Sequence, residues 1–289
     1  MNTGLNTGLS AVELQHCREA AFATGGLFEF TSRYLPADRF EEYLALYAIV
    51  QIIQVIPTAH VDEEVIWAKL KWWREELAAE ADSVSRHPVS RALWASGARS
   101  KIDQAMLEAL LSGSVRSIDL APDSDENFMF ERLATPGSVT IEVELALDDV
   151  ALDDVTLDSE CVRYLGAASG VFEILSGFGK DSQQGFDRIP LNLLAEFDLI
   201  KNQLAQQKAA LALVIAQLAS FGLEWFSQGF RGLAGLKESR AGQHLQLRWA
   251  MENRRLEKIK NNAGGFLESG NRFGPADAWF AWRFLRRLK

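Results

Sequence analysis

Apolar residues recur along most of this chain at steps of three and four, which is the period of an amphipathic helix. Residues 37–56 show this period most clearly and predict a helix that ends at Pro57, because proline lacks a backbone N–H. Residues 62–79 show it again, and their three leading acids suit the positive end of a helix dipole. The same period predicts helices at 12–30, with an interruption at Gly25 and Gly26, and at 89–94, 101–111, 159–178, 191–195, 202–221, 243–261 and 275–288.

Three segments depart from a plain helical pattern. Residues 127–147 predict a helix that is broken near Pro136. Residues 148–158 (DDVALDDVTLD) predict a loop, because neighbouring carboxylates repel one another and Asp favours turns. The helix at 159–178 has small residues at 166–170, which permit either a close neighbouring helix or a cavity wall. No stretch has the composition of a linker, so we predict a flexible tail over 1–10 and a single domain over 11–289.

The composition, with few prolines, favours an all-α protein. The 289 residues include 48% hydrophobic residues and 24% charged residues, with seven prolines. The net charge of −9 argues against nucleic-acid binding, although Arg283, Arg286, Arg287 and Lys289 form a basic end. Cys17 and Cys161 fit neither a metal-ligand spacing nor a disulfide framework, which indicates a reducing compartment.

The most apolar run, residues 209–221, is shorter than the roughly 20 residues that cross a bilayer. It predicts a buried core helix. We therefore predict a cytoplasmic protein without a transmembrane segment, and leave a peripheral contact with a membrane open.

Several segments together resemble the squalene and phytoene synthases. Residues 30–50 (FTSRYLPADRFEEYLALYAIV) are similar to the leucine-proline corner of that family and to the helix that follows it. The segments 69–77 (KLKWWREEL), 87–93 (HPVSRAL), 111–120 (LSGSVRSIDL) and 245–285 resemble later parts of the family. The resemblance covers most of the chain from about residue 15 and implies an isoprenoid-synthase-like helical bundle around a central cavity.

The resemblance implies a reaction centre that this chain lacks in part. The family joins two polyprenyl diphosphates head to head, and aspartates on two facing helices hold the magnesium ions that ionise the diphosphate. The first motif falls on residues 47–58 (YAIVQIIQVIPT), where Tyr47 is retained. Gln51 stands at the position of the basic residue, Gln54 and Val55 at the paired aspartates, and Thr58 at the last acid. No carboxylate remains there, and glutamine carries no charge.

The second motif keeps two carboxylates. It falls on residues 170–186 (GVFEILSGFGKDSQQGF). Ser176 stands at the position of an arginine, Gly177 at that of the first aspartate, and Phe186 at that of a later arginine. Asp181 is retained and Glu173 stands at an asparagine position, so these two residues are the only candidate metal ligands that the resemblance implies.

Two other acidic groups lie outside these motifs. One group resembles an aspartate-rich motif and consists of Asp148, Asp149, Asp153 and Asp154. These residues lie in the predicted loop, so we expect them to be solvated charges. The group of His60, Asp62, Glu63 and Glu64 follows the first motif. It predicts a charge patch at a helix amino terminus, with a relocated metal site as the alternative.

A set of aromatic and small residues could line a cavity for a polyprenyl chain. The candidates are Phe30, Tyr43, Tyr47, Gly166, Gly170 and Phe172. A plain core is the alternative, because aromatic residues at helical spacing usually pack against one another.

The sequence supports two functional hypotheses. The first is a non-catalytic member of the family, a pseudoenzyme that binds an isoprenoid, another apolar small molecule or a protein partner, and that uses no cofactor. The alternative is an active, Mg-dependent prenyl diphosphate transferase, alone or in a heteromer whose partner supplies the aspartates. A pure interaction module is a third reading, and burial of Trp279 and Trp282 would argue against it.

Overall fold

The structure is a computed structural model, which describes residues 9–22, 26–59, 62–78, 85–115, 123–149, 158–183, 188–200, 203–232 and 242–288, with the backbone alone at 58–59 and 179–183. Within these ranges every regular element is a helix and no strand occurs. The predicted all-α class is confirmed. The α-helices in chain order are α1 Ala11–Ala21, α2 Leu27–Thr31, α3 Phe40–Ala59, α4 Glu63–Leu77, α5 Pro88–Ala95, α6 Gln104–Val115, α7 Glu126–Leu147, α8 Ser159–Gln183, α9 Leu191–Glu196, α10 Lys208–Gly229, α11 Gln243–Asn261, α12 Ala263–Ser269 and α13 Pro275–Arg287.

The chain divides into two compact units. The first comprises Met1–Ile118 and Glu142–Ala151, and the second comprises Asp119–Ile141 and Leu152–Lys289. Helix α7 contributes its first part to the second unit and its last six residues to the first. The prediction of a single domain stays a prediction.

In the first unit, α3 lies at the centre and packs against α1, α4, α5 and α6. Every residue from 43 to 50 is buried, so this helix is apolar on all sides, as expected for a core helix. Ser10 begins α1 with a capping box: its hydroxyl accepts from the Glu13 N–H, and the Glu13 carboxylate accepts from the Ser10 N–H.

In the second unit, α10 packs against α8, α11 and α12, and α11 in turn packs against α8 and α13. Helix α10 begins at Lys208 and continues to Gly229, later at both ends than the predicted segment 202–221. Its buried residues, including Val214, Ile215, Leu218 and Phe226, give it the role of a core helix.

Proline does not interrupt α7 or α3. The prediction of a break near Pro136 was wrong, because α7 runs without interruption from Glu126 to Leu147. Proline leaves one carbonyl without its helical donor. That carbonyl is the one of Arg132, four residues before Pro136, whereas the hydroxyls of Ser138 and Thr140 donate to the carbonyls of Ala134, at 2.6 Å, and Pro136, at 3.1 Å. Helix α3 likewise continues past Pro57 to Ala59.

Two segments, Phe40–Pro57 and Lys208–Gly232, are long and apolar enough to cross a membrane. In the most apolar 18-residue stretch of each segment, 61% of the residues are buried for the first and 50% for the second. Core helices commonly have this composition, as the packing of α3 and α10 shows.

Candidate functional site

Helix α3 carries the first-motif positions within the first unit. Tyr47 is buried, Gln51 and Gln54 are half-buried, and Val55 is 43% exposed. The side chain of Thr58 lies outside the described residues. The ring of Tyr47 stacks on that of Phe28, with centroids 3.8 Å apart and planes within 5°. The motif helix therefore presents a stacked aromatic pair and neutral amides.

A buried carboxylate that the sequence analysis missed bonds to this helix. The hydroxyl of Tyr47 donates to Oε1 of Glu144 at 2.9 Å, and Glu144, from α7, is 1% exposed. The signal was present in the sequence: Glu144 follows Ile141, which is buried, by three positions, where helical periodicity places an apolar residue. An acid at such a position needs a bonding partner.

Tyr43 lies one turn before Tyr47 and faces the same acidic region. Burial raises the pKa of Tyr43 well above its ordinary value, and the negative charges of Asp148 and Glu144 raise the pKa further, against the smaller effect of Arg39. A hydrogen bond with Asp148 acts in the same direction. Tyr43 therefore stays protonated at neutral pH and is a hydrogen-bond donor beside these carboxylates.

Arg39 and Lys101 hold the carboxyl end of α7. Arg39 donates to the carbonyl of Leu147 and forms an ion pair of 3.2 Å with Asp148. Lys101 donates to the same carbonyl at 3.0 Å and lies 3.4 Å from Asp149. Cations suit this end of a helix. Asp148 and Asp149 are thus engaged in ion pairs, and Asp153 and Asp154 lie outside the described residues.

Helix α8 carries the second-motif positions in the second unit. Glu173 and Ser176 are exposed and Gly177 is half-buried. The hydroxyl of Ser176 accepts from the side-chain amide of Asn271 at 2.8 Å. The side chain of Asp181 and residues Gly185 and Phe186 lie outside the described residues. Of the two predicted candidate ligands, the structure therefore places only the side chain of Glu173.

The small residues of α8 bring it close to α7. A Cβ atom added at Gly137 would lie 2.3 Å from the carbonyl oxygen of Gly166, and one added at Gly166 would lie 2.5 Å from the amide nitrogen of Ser138. Gly170 is less crowded, because its added Cβ would meet the Leu133 side chain at 3.1 Å. At Gly166 the structure therefore shows a close neighbouring helix, α7, and not a cavity wall.

A buried polar network links α8 to α11. The hydroxyl of Ser169 donates to Oε2 of Glu252 at 2.6 Å, and Arg248 lies 3.3 Å from Oε1 of the same carboxylate. All three side chains are at most 5% exposed. The sequence analysis treated α11 only as a resembling segment and missed Glu252. The four-residue spacing of Arg248 and Glu252 on one helix face was the available signal.

The remaining predicted candidates form no metal site among the described residues. Asp62 caps α4 by accepting from the N–H of Glu64 at 2.9 Å, and Glu63 accepts from the indole N–H of Trp67 at 3.0 Å. His60 lies outside the described ranges. In the part of the chain that the structure describes, no three His, Cys, Asp or Glu side chains are grouped closely enough to bind a metal ion.

The first unit also contains a pocket of about 320 Å³ that includes no predicted site residue. Its walls come from α1, α2, the 3-10 turn Ser32–Tyr34 and the start of α3, and they include Arg18, Glu29 and Arg33.

Comparison with known proteins identifies the family. A family model described as squalene/phytoene synthase matches residues 27–273. The chain belongs to the squalene/phytoene synthase family. The family membership predicted from residues 30–50 and the later segments is thereby confirmed.

Solved structures confirm the isoprenoid-synthase-like helical fold of this family member. The squalene synthase HpnC from Alicyclobacillus acidocaldarius superposes with a TM-score of 0.67 at 16% identity, over 87% of this chain and 94% of that one. A dehydrosqualene synthase in complex with ligand gives the same TM-score and identity, over 96% and 95%. At this identity the likeness shows the fold alone. No curated protein sequence matches the chain.

Proposed function

We propose that this member of the squalene/phytoene synthase family does not ionise diphosphates through a magnesium cluster, and that it binds an isoprenoid or a similar apolar molecule. One observation carries the proposal. On α3, the first-motif positions present Gln51, Gln54 and Val55 in place of carboxylates, and the buried acid beside them, Glu144, accepts a hydrogen bond from Tyr47.

The donor set on α3 does not fit a magnesium cluster. Mg²⁺ requires hard oxygen ligands in near-octahedral geometry, usually from carboxylates and phosphates. A leaving diphosphate carries roughly three negative charges, and bound cations must balance them during ionisation. Gln51 and Gln54 offer neutral amide oxygens, and Val55 offers none. Glu144 is a single carboxylate on another helix, with one oxygen bonded to Tyr47.

The apolar residues support the binding part of the proposal. Phe28, Phe30 and Tyr47 in the first unit are aromatic and less than 10% exposed. An aromatic lining with few polar groups would suit an apolar chain. A protein partner bound by the same helical framework is the second form of this non-catalytic role.

The alternative function is an active Mg-dependent prenyltransferase, and one observation favours it. Glu173 is exposed on α8 and Asp181 is retained on the same helix. In a heteromer, a partner could supply the carboxylates that α3 lacks.

Diphosphate release and ligand binding test the proposal together. The purified chain is incubated with Mg²⁺ and either farnesyl or geranylgeranyl diphosphate, and the released diphosphate is measured. We expect no release above a sample that contains EDTA. Farnesol should raise the melting temperature, since a ligand at 100 times its Kd stabilises by about 2.7 kcal/mol.

Asp181→Ala and Asp38→Ala provide the matched variants, since Asp38 is an exposed acid that precedes α3. Diphosphate release that Asp181→Ala abolishes and Asp38→Ala retains would establish the active alternative. The absence of both release and farnesol binding would leave the protein-partner form of the role.

A further inference from the structure

Helix α13 exposes two tryptophans. Trp279 is 55% exposed and Trp282 is 50% exposed, whereas Asp277 and Ala281 are buried on the other side of the helix. Trp279, Trp282, Arg283 and Arg286 follow one another at steps of three, one and three, which places them on a single face. Burial of the two tryptophans would have argued against an interaction surface, and they are not buried.

Side-chain bonds attach α13 to α11, so its tryptophans are exposed on a helix that is held in place. Asp277 is in its first turn and is 3% exposed. Its carboxylate accepts from Lys258 and, at 3.4 Å, from Arg255, both on α11. The carboxylate also accepts from the N–H of Gly274 at 3.1 Å. These cations and this N–H hold the pKa of Asp277 below its ordinary value, although burial opposes them.

The exposed face is cationic, in contrast to the chain as a whole. Arg283 lies over the ring of Trp279 at 5.2 Å, and Arg286 lies over Trp282 at 4.7 Å. Residues 254–289 contain nine Lys and Arg residues against three Asp and Glu residues, while the full chain has a net charge of −9. The acids are Asp277, which is paired, and the exposed Glu257 and Glu268, none of which belongs to this face.

We propose that this face of α13, formed by Trp279, Trp282, Arg283 and Arg286, binds the surface of an anionic lipid bilayer. Tryptophan is enriched at the level of lipid headgroups, where its ring is partly apolar and its N–H can bond. Guanidinium groups bind phosphate oxygens, so a face that carries both tryptophan and arginine suits the headgroup region. Elsewhere the acidic surface of the protein is repelled by such a membrane, so charge complementarity selects this end of the chain.

Sedimentation with vesicles tests the proposal on the full-length protein. Phosphatidylcholine vesicles are compared with vesicles in which about one third of the lipid is phosphatidylglycerol. We expect binding to the anionic vesicles to be roughly tenfold stronger or more, since each basic residue near such a surface adds severalfold, and to fall as salt is added.

The variants locate the binding surface. Trp279→Ala with Trp282→Ala, and separately Arg283→Gln with Arg286→Gln, should each weaken binding to anionic vesicles roughly tenfold. Trp67→Ala removes a tryptophan of similar exposure, 44%, from α4 in the first unit, and it should leave binding within about twofold. Melting temperatures confirm that each variant is folded.

Three results would overturn the proposal: no binding to anionic vesicles, equal binding to both kinds of vesicle, or binding that the α13 variants do not weaken. A change in oligomeric state on substitution of the tryptophans, without vesicle binding, would assign the face to a second copy of the chain instead. None of these outcomes depends on whether diphosphate is released, so this proposal and the proposed function can fail separately.

Discussion

Helix α3 of the first unit and helix α8 of the second carry the positions at which the sequence predicts the two degenerate aspartate motifs, and they use their polar residues differently. On α3, the motif positions are neutral, and the buried acid that bonds Tyr47 comes from α7. On α8, Glu173 is exposed, while Ser169 and Ser176 bond to residues of α11 and of the segment before α13.

The difference shows two ways in which a helix can be stable without metal ligands. In the first unit, aromatic stacking and one tyrosine–carboxylate bond occupy the motif region. In the second unit, the hydrogen bond from Ser169 to Glu252 of α11 and the close contact of Gly166 with α7 fix α8 against its neighbours. Tyr47 in the first region, and Ser169 and Ser176 in the second, therefore bond to neighbouring parts of the chain.

The largest effect is expected in the second unit at Glu252. Glu252→Ala should lower the free energy of unfolding by about 3–5 kcal/mol, because it leaves the buried Arg248 without this carboxylate. Denaturant unfolding followed by circular dichroism measures the change. Glu257→Ala, at an exposed position of the same helix, should change stability by less than about 0.5 kcal/mol. Similar losses for both variants would show that the ion pair contributes little.

The contact between α7 and α8 should give the next largest effect. Gly166→Ala should destabilise the protein by about 3 kcal/mol, since the added methyl group would lie 2.5 Å from backbone atoms that cannot turn aside. Gly264→Ala is the control, because its added Cβ meets nothing within 4 Å. That variant should be neutral or more stable by about 0.5–1 kcal/mol. Thermal unfolding of the two variants gives the comparison, and an unchanged Gly166→Ala protein would refute the close crossing.

In the first unit, removal of the hydroxyl of Tyr47 should cost less. Tyr47→Phe keeps the stacking on Phe28 but removes a hydrogen bond to a buried charged acceptor, a loss of about 1.5–3 kcal/mol. Urea unfolding of Tyr47→Phe, Glu144→Leu and the double variant forms a cycle that measures the coupling between the two side chains, since leucine offers no acceptor to the tyrosine hydroxyl. Additive losses in the cycle would mean that the two side chains do not interact.

Each unit contains one cysteine, and the two thiols should differ in reactivity. Burial, and to a lesser degree the charge of Glu13, raises the pKa of the fully buried Cys17 to about 12. Burial also raises the pKa of Cys161, which is only partly buried. Since the thiolate is the reactive form, Ellman's reagent at pH 8 should modify Cys161 well before Cys17. Single Cys→Ser variants assign the two rates, and equal rates would contradict the predicted order.

The raised pKa of Cys17 also predicts how stability depends on pH. Below pH 9 the thiol is protonated in both the folded and the unfolded protein. Between pH 9 and about 12 the unfolded chain releases this proton while the folded protein keeps it. The contribution of Cys17 to the free energy of unfolding should therefore fall as pH rises through this window. The slope should be smaller in Cys17→Ala.

Periodicity predicted most of the fold because apolar spacing is a local property. It placed α11 at 243–261, as observed. It misjudged Pro136 and Pro57, because packing against the rest of the chain, which the local pattern does not show, can hold a helix together past a proline. The small residues at 166–170 indicated close packing or a cavity, but the partner, Gly137, could not be inferred from α8 alone.

The site was less predictable for the same reason. The motif positions could be compared with the family one by one, so the absence of carboxylates from residues 47–58 was visible in the sequence. Glu144 is 97 residues from Tyr47 and Glu252 is 83 residues from Ser169, the side chains that they bond. Helical spacing could mark the two acids, but only the folded chain brings each of them to its partner.

The most direct test of the central claim is whether Mg²⁺ affects the binding of a diphosphate. Isothermal titration with a thio analogue of farnesyl diphosphate that does not ionise, with and without Mg²⁺, measures this coupling. Because α3 lacks carboxylates at its motif positions, we expect the same affinity in both conditions. An affinity that Mg²⁺ increases roughly tenfold or more, and that Asp181→Ala returns to the metal-free value, would contradict it.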